Sequence, residues 1–223
     1  MSHRIHDPKF LQARYRLNGN ANDSSGHLRH GTLVNAPTWG VFNKGLKTCI
    51  ELDGNNQYVN CGDLTCLNAV SAFTICFWMR QDVINAADNI FVKFLDASNS
   101  IYFYTAADTF MYFYLENTNT GIARTTAAYG NSVPALSWHH VAVVFDGAQA
   151  AANRLLVYFD GAPVALTIVS ALPATTADLT GVDAMIGNAV SSFDGRLYDF
   201  RIYSCALSRQ EIMTIQHDPI GVL

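Results

Sequence analysis

The sequence has little of what helical bundles and nucleic-acid-binding proteins require. The 223 residues contain only three glutamates, Glu51, Glu116 and Glu211, and charged residues make up 14% of the chain. Because long helices usually recruit Glu, this scarcity speaks against a helical protein. Lys and Arg form no run and the formal net charge is −4, so the basic stripe that a nucleic-acid partner would require is missing.

Two further absences concern membranes and secretion. No apolar run approaches the roughly 20 residues of a transmembrane helix, so we expect no membrane partner. The N-terminus, MSHRIHDPKFLQARYRL, has no apolar stretch before a small-residue cleavage site, as a signal peptide would. We therefore expect a virion or cytoplasmic location if the sequence is full length. An extracellular location is expected only after release by lysis or removal of a signal.

Cysteine pairs with the Cys-x-x-Cys spacing are also missing. The five cysteines are Cys49, Cys61, Cys66, Cys76 and Cys205. An odd number in a chain long enough to bury a large core indicates reduced, mostly buried thiols. A disulfide between Cys49 and Cys61 is the alternative, which an oxidising compartment would favour.

The residues that are abundant favour β-structure. Apolar residues make up 50% of the chain, with 13 Phe and 10 Tyr. Asp-Gly pairs, which suit tight turns, occur at 53–54, 146–147, 160–161 and 194–195. Short β-rich runs span 48–52, 57–61, 73–80, 89–95, 101–105, 110–116, 139–145, 155–159, 163–169, 184–186 and 197–203. Many short strands separated by turn signals indicate a sandwich or a barrel.

Two patterns predict particular elements. The nearly continuous apolar run 141–145 predicts a central strand covered on both faces, and residues 155–159 would pair with it as a hairpin. Ser208 and Glu211 form a capping box, in which the Ser hydroxyl caps a backbone amide and the Glu reaches back. We therefore expect one short C-terminal helix that closes the sandwich.

The sequence predicts three parts. Residues 1–13 are polar and of mixed charge, which indicates an N-terminal arm that is mobile or docks on a neighbour. Residues 14–217 form one predicted domain, because no repeat, low-complexity segment or linker interrupts them. Residues 218–223 are a C-terminal tail.

Four groups of motifs follow one another over residues 14–217. They are YRLNGN (15–20) with DSSG (23–26) and HGTL (30–33); LDGNNQYV (52–59) with FTICFW (73–78); WHHVAVVFDG (138–147) with LVYFDG (156–161); and IGN (186–188) with FDGRLYDFRIY (193–203). In this order they resemble the laminin-G-like, concanavalin-A-like lectin family. The resemblance implies an all-β, antiparallel two-sheet jelly-roll sandwich. It implies little about function, because the fold carries lectins, adhesion modules, enzymes and structural proteins.

The resemblance also implies a structural calcium site. Family members often hold Ca²⁺ between the N-terminal Asp-Ser-Ser-Gly loop and the acidic residue before the Arg-Ile-Tyr strand. The corresponding ligands here are Asp23, the carbonyl of Gly26, and Asp199. Calcium takes six to eight oxygen ligands, and a loop that offers carbonyls beside carboxylates suits it.

A second interpretation of these residues needs no metal. The family often has two acids before this strand, and Tyr198 stands in the place of the first. Asp23 would then form an Asx-turn, and Asp199 would form an ion pair with Arg201 or Arg14. The sequence leaves both interpretations open.

Tyrosines alternate in two of the predicted strands. Because strand side chains point to opposite faces in turn, Tyr102 and Tyr104 share one face, and so do Tyr112 and Tyr114. Such a face of phenols can stack on sugar rings and hydrogen-bond to their hydroxyls, so we predict a ligand-binding surface there. The alternatives are a contact between subunits, where tyrosines are also enriched, and ordinary sheet packing.

The motifs of the common hydrolases are missing. Related glucanases carry Glu-x-Asp-x-Glu on one strand, and this chain has neither that motif nor Gly-x-Ser-x-Gly or His-Glu-x-x-His. Its one acidic pair at i, i+2, Glu51 and Asp53, adjoins a turn. The sequence therefore predicts no enzyme but a lectin-like binding or adhesion module that recognises a glycan or a protein surface.

Two alternatives to that function stay open. A structural or decoration protein of a virus particle, such as a phage, would contact capsid or tail proteins and would explain an extracellular type of fold without a signal sequence. A glycan-active enzyme would have to draw its acids from scattered positions. In either non-catalytic role, homo-oligomers would form through the tyrosines or the N-terminal arm.

Overall fold

Two antiparallel β-sheets make up most of the structure, a computed structural model that describes residues 3–42, 47–83, 87–106, 110–118, 120–127, 136–188 and 190–217. The strands are β1 (Leu11–Tyr15), β2 (Thr32–Val34), β3 (Thr38–Phe42), β4 (Lys47–Asp53), β5 (Tyr58–Asn60), β6 (Ala72–Gln81), β7 (Asp88–Asp96), β8 (Asn99–Thr105), β9 (Met111–Asn117), β10 (Ile122–Thr125), β11 (His139–Asp146), β12 (Leu155–Phe159), β13 (Ala162–Val164), β14 (Leu166–Ile168), β15 (Met185–Gly187) and β16 (Asp194–Tyr203), followed by helix α1 (Arg209–His217). The predicted sandwich with one C-terminal helix is confirmed.

Each sheet has eight strands. Sheet one runs β13-β12-β11-β6-β16-β4-β3, with β1 also paired to β16, and sheet two runs β14-β10-β9-β8-β7-β15-β5-β2. Strand β16 changes its neighbour along its length, because β4 pairs with residues 194–197 and β1 with residues 200–203. A register shift between Tyr198 and Arg201 separates the two halves.

The core lies between the sheets and follows the alternation of the strands. In β11, Val141, Val143 and Phe145 are buried in this core, whereas the intervening Ala142 and Val144 are buried on the other side. The predicted strand covered on both faces is thus confirmed, and β11 pairs with β12 as expected. Aromatic contacts join the sheets, since the ring of Phe200 lies 5.6 Å from that of Phe91.

Helix α1 covers part of the outer face of sheet one. Ile212 and Ile215 pack in one apolar cluster with Ala142 and Val144. The predicted capping box is present: the Ser208 amide donates to Glu211 Oε2 over 2.8 Å, and the Glu211 amide donates to Ser208 Oγ over 3.4 Å. The capping residues therefore set where the helix begins, and its apolar face fixes where it packs.

The predicted arm belongs to the sandwich instead of extending from it. Leu11 begins β1, and Ile5 is buried beneath the helix cluster although the surrounding residues are polar. Arg4 Nε donates to Glu211 Oε1 over 2.8 Å, which ties the chain start to α1. These contacts join the start of the chain to the sandwich, and the arm over residues 1–13 and the domain over residues 14–217 stay predictions. The tail, 218–223, lies outside the described residues.

Several strands differ from the predicted runs. The run 163–169 is split into β13 and β14, which lie in different sheets, so the chain crosses the sandwich there. Strands β1, β2, β3 and β10 were not among the predicted runs. Each has three to five residues, and at that length local pattern marks some strands, such as β12, but misses others.

All five cysteines are free thiols, as the sequence predicted. Cys49 is buried with aromatic residues outside sheet one, whereas Cys61 is buried between the sheets. Burial raises the pKa of Cys61 and of Cys76 to about 12. Among the described residues, no helix has the length and apolarity needed to cross a membrane.

Glu211 tests how much the chain start and the helix cap stabilise the fold. We expect Glu211→Ala to lower the free energy of unfolding by about 1–2 kcal/mol, since it removes the cap partner and a partly exposed ion pair. Glu211→Gln should cost less, because Gln can still reach back to Ser208. Urea denaturation measures both variants, and equal losses would show that the contact with Arg4 outweighs the cap.

Candidate ligand-binding face

The four tyrosines meet on the outer face of sheet two. Strands β8 and β9 pair so that Tyr102 lies opposite Tyr114 and Tyr104 lies opposite Tyr112. All four are half-buried, whereas the intervening Phe103 is fully buried in the core. We call these four residues the tyrosine face. The structure places them together as the alternation required, and their binding of a ligand stays a prediction.

The rings of the tyrosine face stack on one another. The centroids of Tyr102 and Tyr114 are 4.2 Å apart with 20° between the ring planes, and those of Tyr104 and Tyr112 are 5.2 Å apart with 12°. Tyr102 and Tyr104 are also stacked, at 5.7 Å. Because the rings contact each other through their faces, a ligand would meet mainly ring edges and hydroxyls. Hydrogen bonding thus counts for more here than the flat stacking that the sequence suggested.

Strand register extends the tyrosine face into two rows across the sheet. From β10 to β7 the first row is Arg124, Tyr112, Tyr104 and Asn89, and from β10 to β15 the second is Ile122, Tyr114, Tyr102, Val92 and Met185. Neighbouring strands lie about 4.8 Å apart, so the four strands of the first row span about 14 Å. The first row is rich in hydrogen-bonding groups, and the second is largely apolar.

A groove opens beside Tyr102. It has a volume of about 430 Å³ and is lined by Asn89, Val92, Phe94, Tyr102, Met185, Asn188 and Val190. The edge of Phe94 faces Tyr102 with the centroids 6.1 Å apart, and 46% of Phe94 is exposed. An apolar recess next to phenol hydroxyls is the usual composition of a site for a small, partly polar ligand.

The charged groups of this face lie at its two ends. The guanidinium of Arg124 lies over the ring of Phe110, 4.1 Å from its centroid. At the other end Glu116 is buried and accepts a hydrogen bond of 2.8 Å from Ser100 Oγ. Burial raises the pKa of Tyr102, and the nearby Tyr114 and Glu116 raise it further, so this phenol remains a proton donor. Sequence analysis missed Arg124 and the groove, because only strand register reveals them.

Asp199, a predicted calcium ligand, lies at the register shift of β16 in a left-handed conformation with φ 51°. Its Oδ1 accepts a hydrogen bond from Arg14 Nε over 2.7 Å, and its Oδ2 accepts one from Arg201 Nη2 over 2.6 Å. All three side chains are buried. Burial alone would raise the pKa of Asp199, but Arg201 and Arg14 hold it below its usual value.

Asp23, the second predicted ligand, has hydrogen-bond donors on both oxygens. The backbone amides of Arg14 and Ser25 donate to its Oδ1 over 2.9 and 2.8 Å, and the amide of Arg29 donates to its Oδ2 over 3.0 Å. The contact with Ser25 is an Asx-turn. Gly26 follows in an exposed bend with φ 98°.

This arrangement does not fit a calcium ion. The carboxylate oxygens of Asp23 and Asp199 face N–H and guanidinium donors, whereas calcium requires six to eight oxygens that point at one position. Over the described ranges, no group of three or more His, Cys, Asp or Glu side chains could hold a metal. The contacts correspond to the metal-free interpretation, and calcium binding by Asp23, Gly26 and Asp199 stays a prediction of the resemblance.

A further carboxyl with an altered pKa, which the sequence did not single out, lies at one end of the sandwich. Gln81 Nε2 donates to Asp88 Oδ2 over 2.8 Å and to Thr105 Oγ1 over 3.0 Å. Burial raises the pKa of Asp88 to about 6, and the charge of Asp194 adds to the shift. Because Asp88 is only 5% exposed, the carboxyl is held inside the fold and does not face a ligand.

Asp199 provides a test that separates an ion pair from a metal site. We expect Asp199→Asn to lower the free energy of unfolding by about 3–5 kcal/mol, because two buried guanidiniums lose their counter-charge. The loss should be the same with and without EDTA, and Asp178→Asn, at an exposed loop, should leave stability unchanged. A wild-type melting temperature that falls in EDTA, with no such response in Asp199→Asn, would establish calcium instead.

The raised pKa of Asp88 predicts a pH dependence of stability. The unfolded carboxyl titrates near 3.9, so Asp88 favours the folded state below that pH and this contribution is lost as pH rises through about 6. We therefore expect Asp88→Asn to gain stability relative to wild type between pH 4.5 and pH 7.5. Urea denaturation at both values measures the difference, and a constant difference would contradict the shift.

Structural comparison finds solved domains with the same fold. Domain 4 of AbnA, a GH43 extracellular arabinanase from Geobacillus stearothermophilus, solved with arabinotriose, superposes with a TM-score of 0.67 at 16% identity over 92% of this chain and 97% of that one. The binding domain of botulinum neurotoxin serotype D, solved with N-acetylneuraminic acid, gives a TM-score of 0.73 at 14% identity over 97% of this chain and 52% of that one.

A related toxin domain, of botulinum neurotoxin DC, was solved with rat synaptotagmin II. It superposes with a TM-score of 0.67 at 13% identity, over 95% of this chain and 52% of that one. This chain thus spans about half the length of the toxin domains, and identities this low show a common fold alone.

Sequence comparison is more limited. A search of curated proteins finds no match. A family model does match residues 53–213, well over half of the chain, and it is the laminin-G type described as the concanavalin A-like lectin/glucanases superfamily. Together with the two facing sheets, this match shows that the chain belongs to the concanavalin A-like lectin/glucanase superfamily.

Proposed function

We propose that the protein is a non-catalytic, lectin-like module that binds a glycan on the outer face of sheet two. The observation that carries the proposal is the tyrosine face, in which four phenols from two strands lie beside a groove of about 430 Å³. The rings stabilise the sheet by stacking, and their hydroxyls can in addition exchange hydrogen bonds with sugar hydroxyls. The first row spans about 14 Å, which exceeds the width of a single sugar. A ligand that contacts the whole row would therefore be an oligosaccharide.

The fold relatives support the same class of ligand. AbnA domain 4, which this chain matches over 97% of its length, was solved with arabinotriose, and a toxin binding domain matched over 52% was solved with N-acetylneuraminic acid. Another toxin domain was solved with synaptotagmin II, which makes a protein surface the second candidate. We favour a glycan, because the first row offers phenols, an amide and a guanidinium as hydrogen-bonding groups.

The acids near the face support a binding role without catalysis. Glycoside hydrolysis usually needs two carboxyls on either side of the bond that breaks. On the tyrosine side, Glu116 is buried and bonded to Ser100, and Asp88 is held by Gln81. Neither carboxyl points to the groove with a second carboxyl opposite it among the residues that the structure describes.

Other predictions of the sequence concern the setting of this module. A decoration role on a virus particle is compatible with a ligand-binding face directed outward, and mass spectrometry of purified particles would test it. A contact between two copies through the tyrosine face would compete with the ligand. Light scattering with and without bound glycan therefore distinguishes these uses of the same surface.

Tyr104 tests the proposed face because it stacks with both Tyr102 and Tyr112. We expect Tyr104→Ala to weaken glycan binding about tenfold or more, as removal of a central aromatic contact does in other interfaces. Tyr104→Phe should lose less glycan-binding affinity, because this substitution keeps the ring and removes only the hydroxyl. A glycan array followed by calorimetry measures all three proteins.

Tyr58→Ala is the matched control, since Tyr58 lies on β5, three strands from β8 in the same sheet. It should bind like wild type, and the melting temperature of each variant should show that the fold is intact. If no glycan binds at millimolar concentration, and Tyr104→Ala behaves as wild type throughout, the lectin function is refuted.

A further inference from the structure

We infer that the glycan bound by this face is acidic, and that Arg124 binds its carboxylate at the β10 end of the first row. The inference rests on the proposed function and specifies the class of ligand. It follows from the position of Arg124, from the way its guanidinium is held, and from the distribution of charge over the face. Each of these observations is independent of the tyrosine stacking.

Arg124 belongs to the same surface as the tyrosines. It lies directly opposite Tyr112 in the β9–β10 pair, and Tyr112 in turn lies opposite Tyr104. Facing residues of antiparallel strands have Cβ atoms about 5 Å apart and share one face of the sheet. The burial of β10 alternates accordingly, with Arg124 half-buried and Ala123 in the core. A ligand that contacts the phenols therefore reaches the guanidinium.

The guanidinium is held in place without a carboxylate partner in its described contacts. It lies 4.1 Å from the ring centroid of Phe110, and Nη1 donates to the carbonyl of Thr125 over 3.3 Å. Contact with an aromatic face orients the planar group while its N–H edge can still bind in the plane. That edge matches a carboxylate, which it can engage through two parallel hydrogen bonds.

Over the residues that the structure describes, the acid on this face lies far from Arg124. Glu116, on the same strand as Tyr112, is four residues away, about 13 Å along an extended strand, which is beyond the screening distance in physiological salt. It is buried and bonded to Ser100. The phenol of Tyr102 is neutral at physiological pH, as tyrosines ordinarily are, and burial raises its pKa further. Positive charge is thus concentrated near Arg124.

The β7 end of the first row indicates which end of the ligand is neutral. Asn89 ends the first row and also lines the groove together with Val92 and Met185. Its amide Nδ2 donates to the carbonyl of Val190 over 3.0 Å. This end offers an amide and apolar side chains, which suit a neutral sugar. The ligand is therefore an oligosaccharide with its carboxylate toward β10 and a neutral sugar in the groove.

A glycan array with paired neutral and carboxylated ligands tests the inference. It should include lactose with 3′-sialyllactose, and arabinotriose with trigalacturonic acid. We expect carboxylated glycans to bind, and calorimetry of the strongest of them to give an affinity about tenfold above that of its methyl ester, as a charge-assisted bond implies. Added salt should lower the binding affinity for the acidic glycan and leave the affinity for its methyl ester unchanged.

Arg124→Gln should reduce the affinity for the acid to that for the ester and leave the ester affinity unchanged. Arg124→Lys should lie between, because it keeps the charge but loses the planar pair of bonds. Arg209→Gln, an equal change of charge at the exposed start of α1, is the control and should bind like wild type. Melting temperatures check that each variant is folded.

The possible outcomes separate the inference from the function on which it rests. If only neutral glycans bind, or if the acid and its ester bind with equal affinity, the inference of an acidic ligand is refuted. The proposed lectin function is not affected by either result. Binding of no glycan at all would overturn both. Loss of acid and ester binding together in folded Arg124→Gln would also overturn the inference, because the residue would then support the whole face.

Discussion

A buried ion-pair network lies at the register shift of β16, the strand on which the pairing of sheet one depends. Asp199 has a left-handed backbone, and Arg14 and Arg201 satisfy its carboxylate. The strand can therefore pair with β4 before the bend and with β1 after it. Phe200, on the other side of the strand, packs against Phe91 of sheet two. Removing a partner from such a network is costly, since a charge would then be buried without compensation.

The outer faces of sheet one and sheet two differ in their chemistry. Sheet one carries the buried ion pairs of Asp199, and α1 and the chain start cover part of its outer face. Sheet two leaves its outer face half open and places neutral hydrogen-bonding groups there, with a cation at one end. A rigid β-sheet fixes these groups without the cost of ordering a loop, so recognition depends on strand register. The stacked phenols reinforce that register.

The sequence was sufficient for the fold and for half of the site. Alternation predicted that Tyr102 and Tyr104 share a face, because period two is a local property of a strand. It could not predict Arg124 or Met185, which join the face only through pairing between strands that are distant in sequence. Ile5 was missed for a related reason, since one apolar residue among polar ones gives no periodic signal. The contacts of Asp199 likewise depended on how Arg14 and Arg201 converge.

The buried thiols give the protein an internal chemical reporter. Cys61 and Cys76 are fully inside, and burial raises the pKa of both to about 12, so thiolate is scarce at neutral pH. Alkylating reagents attack the thiolate and need access to sulfur. Modification of these two side chains therefore requires that the sandwich open, and its rate follows the opening of each side separately. Cys61 reports on the space between the sheets, and Cys76 on the surface beneath α1.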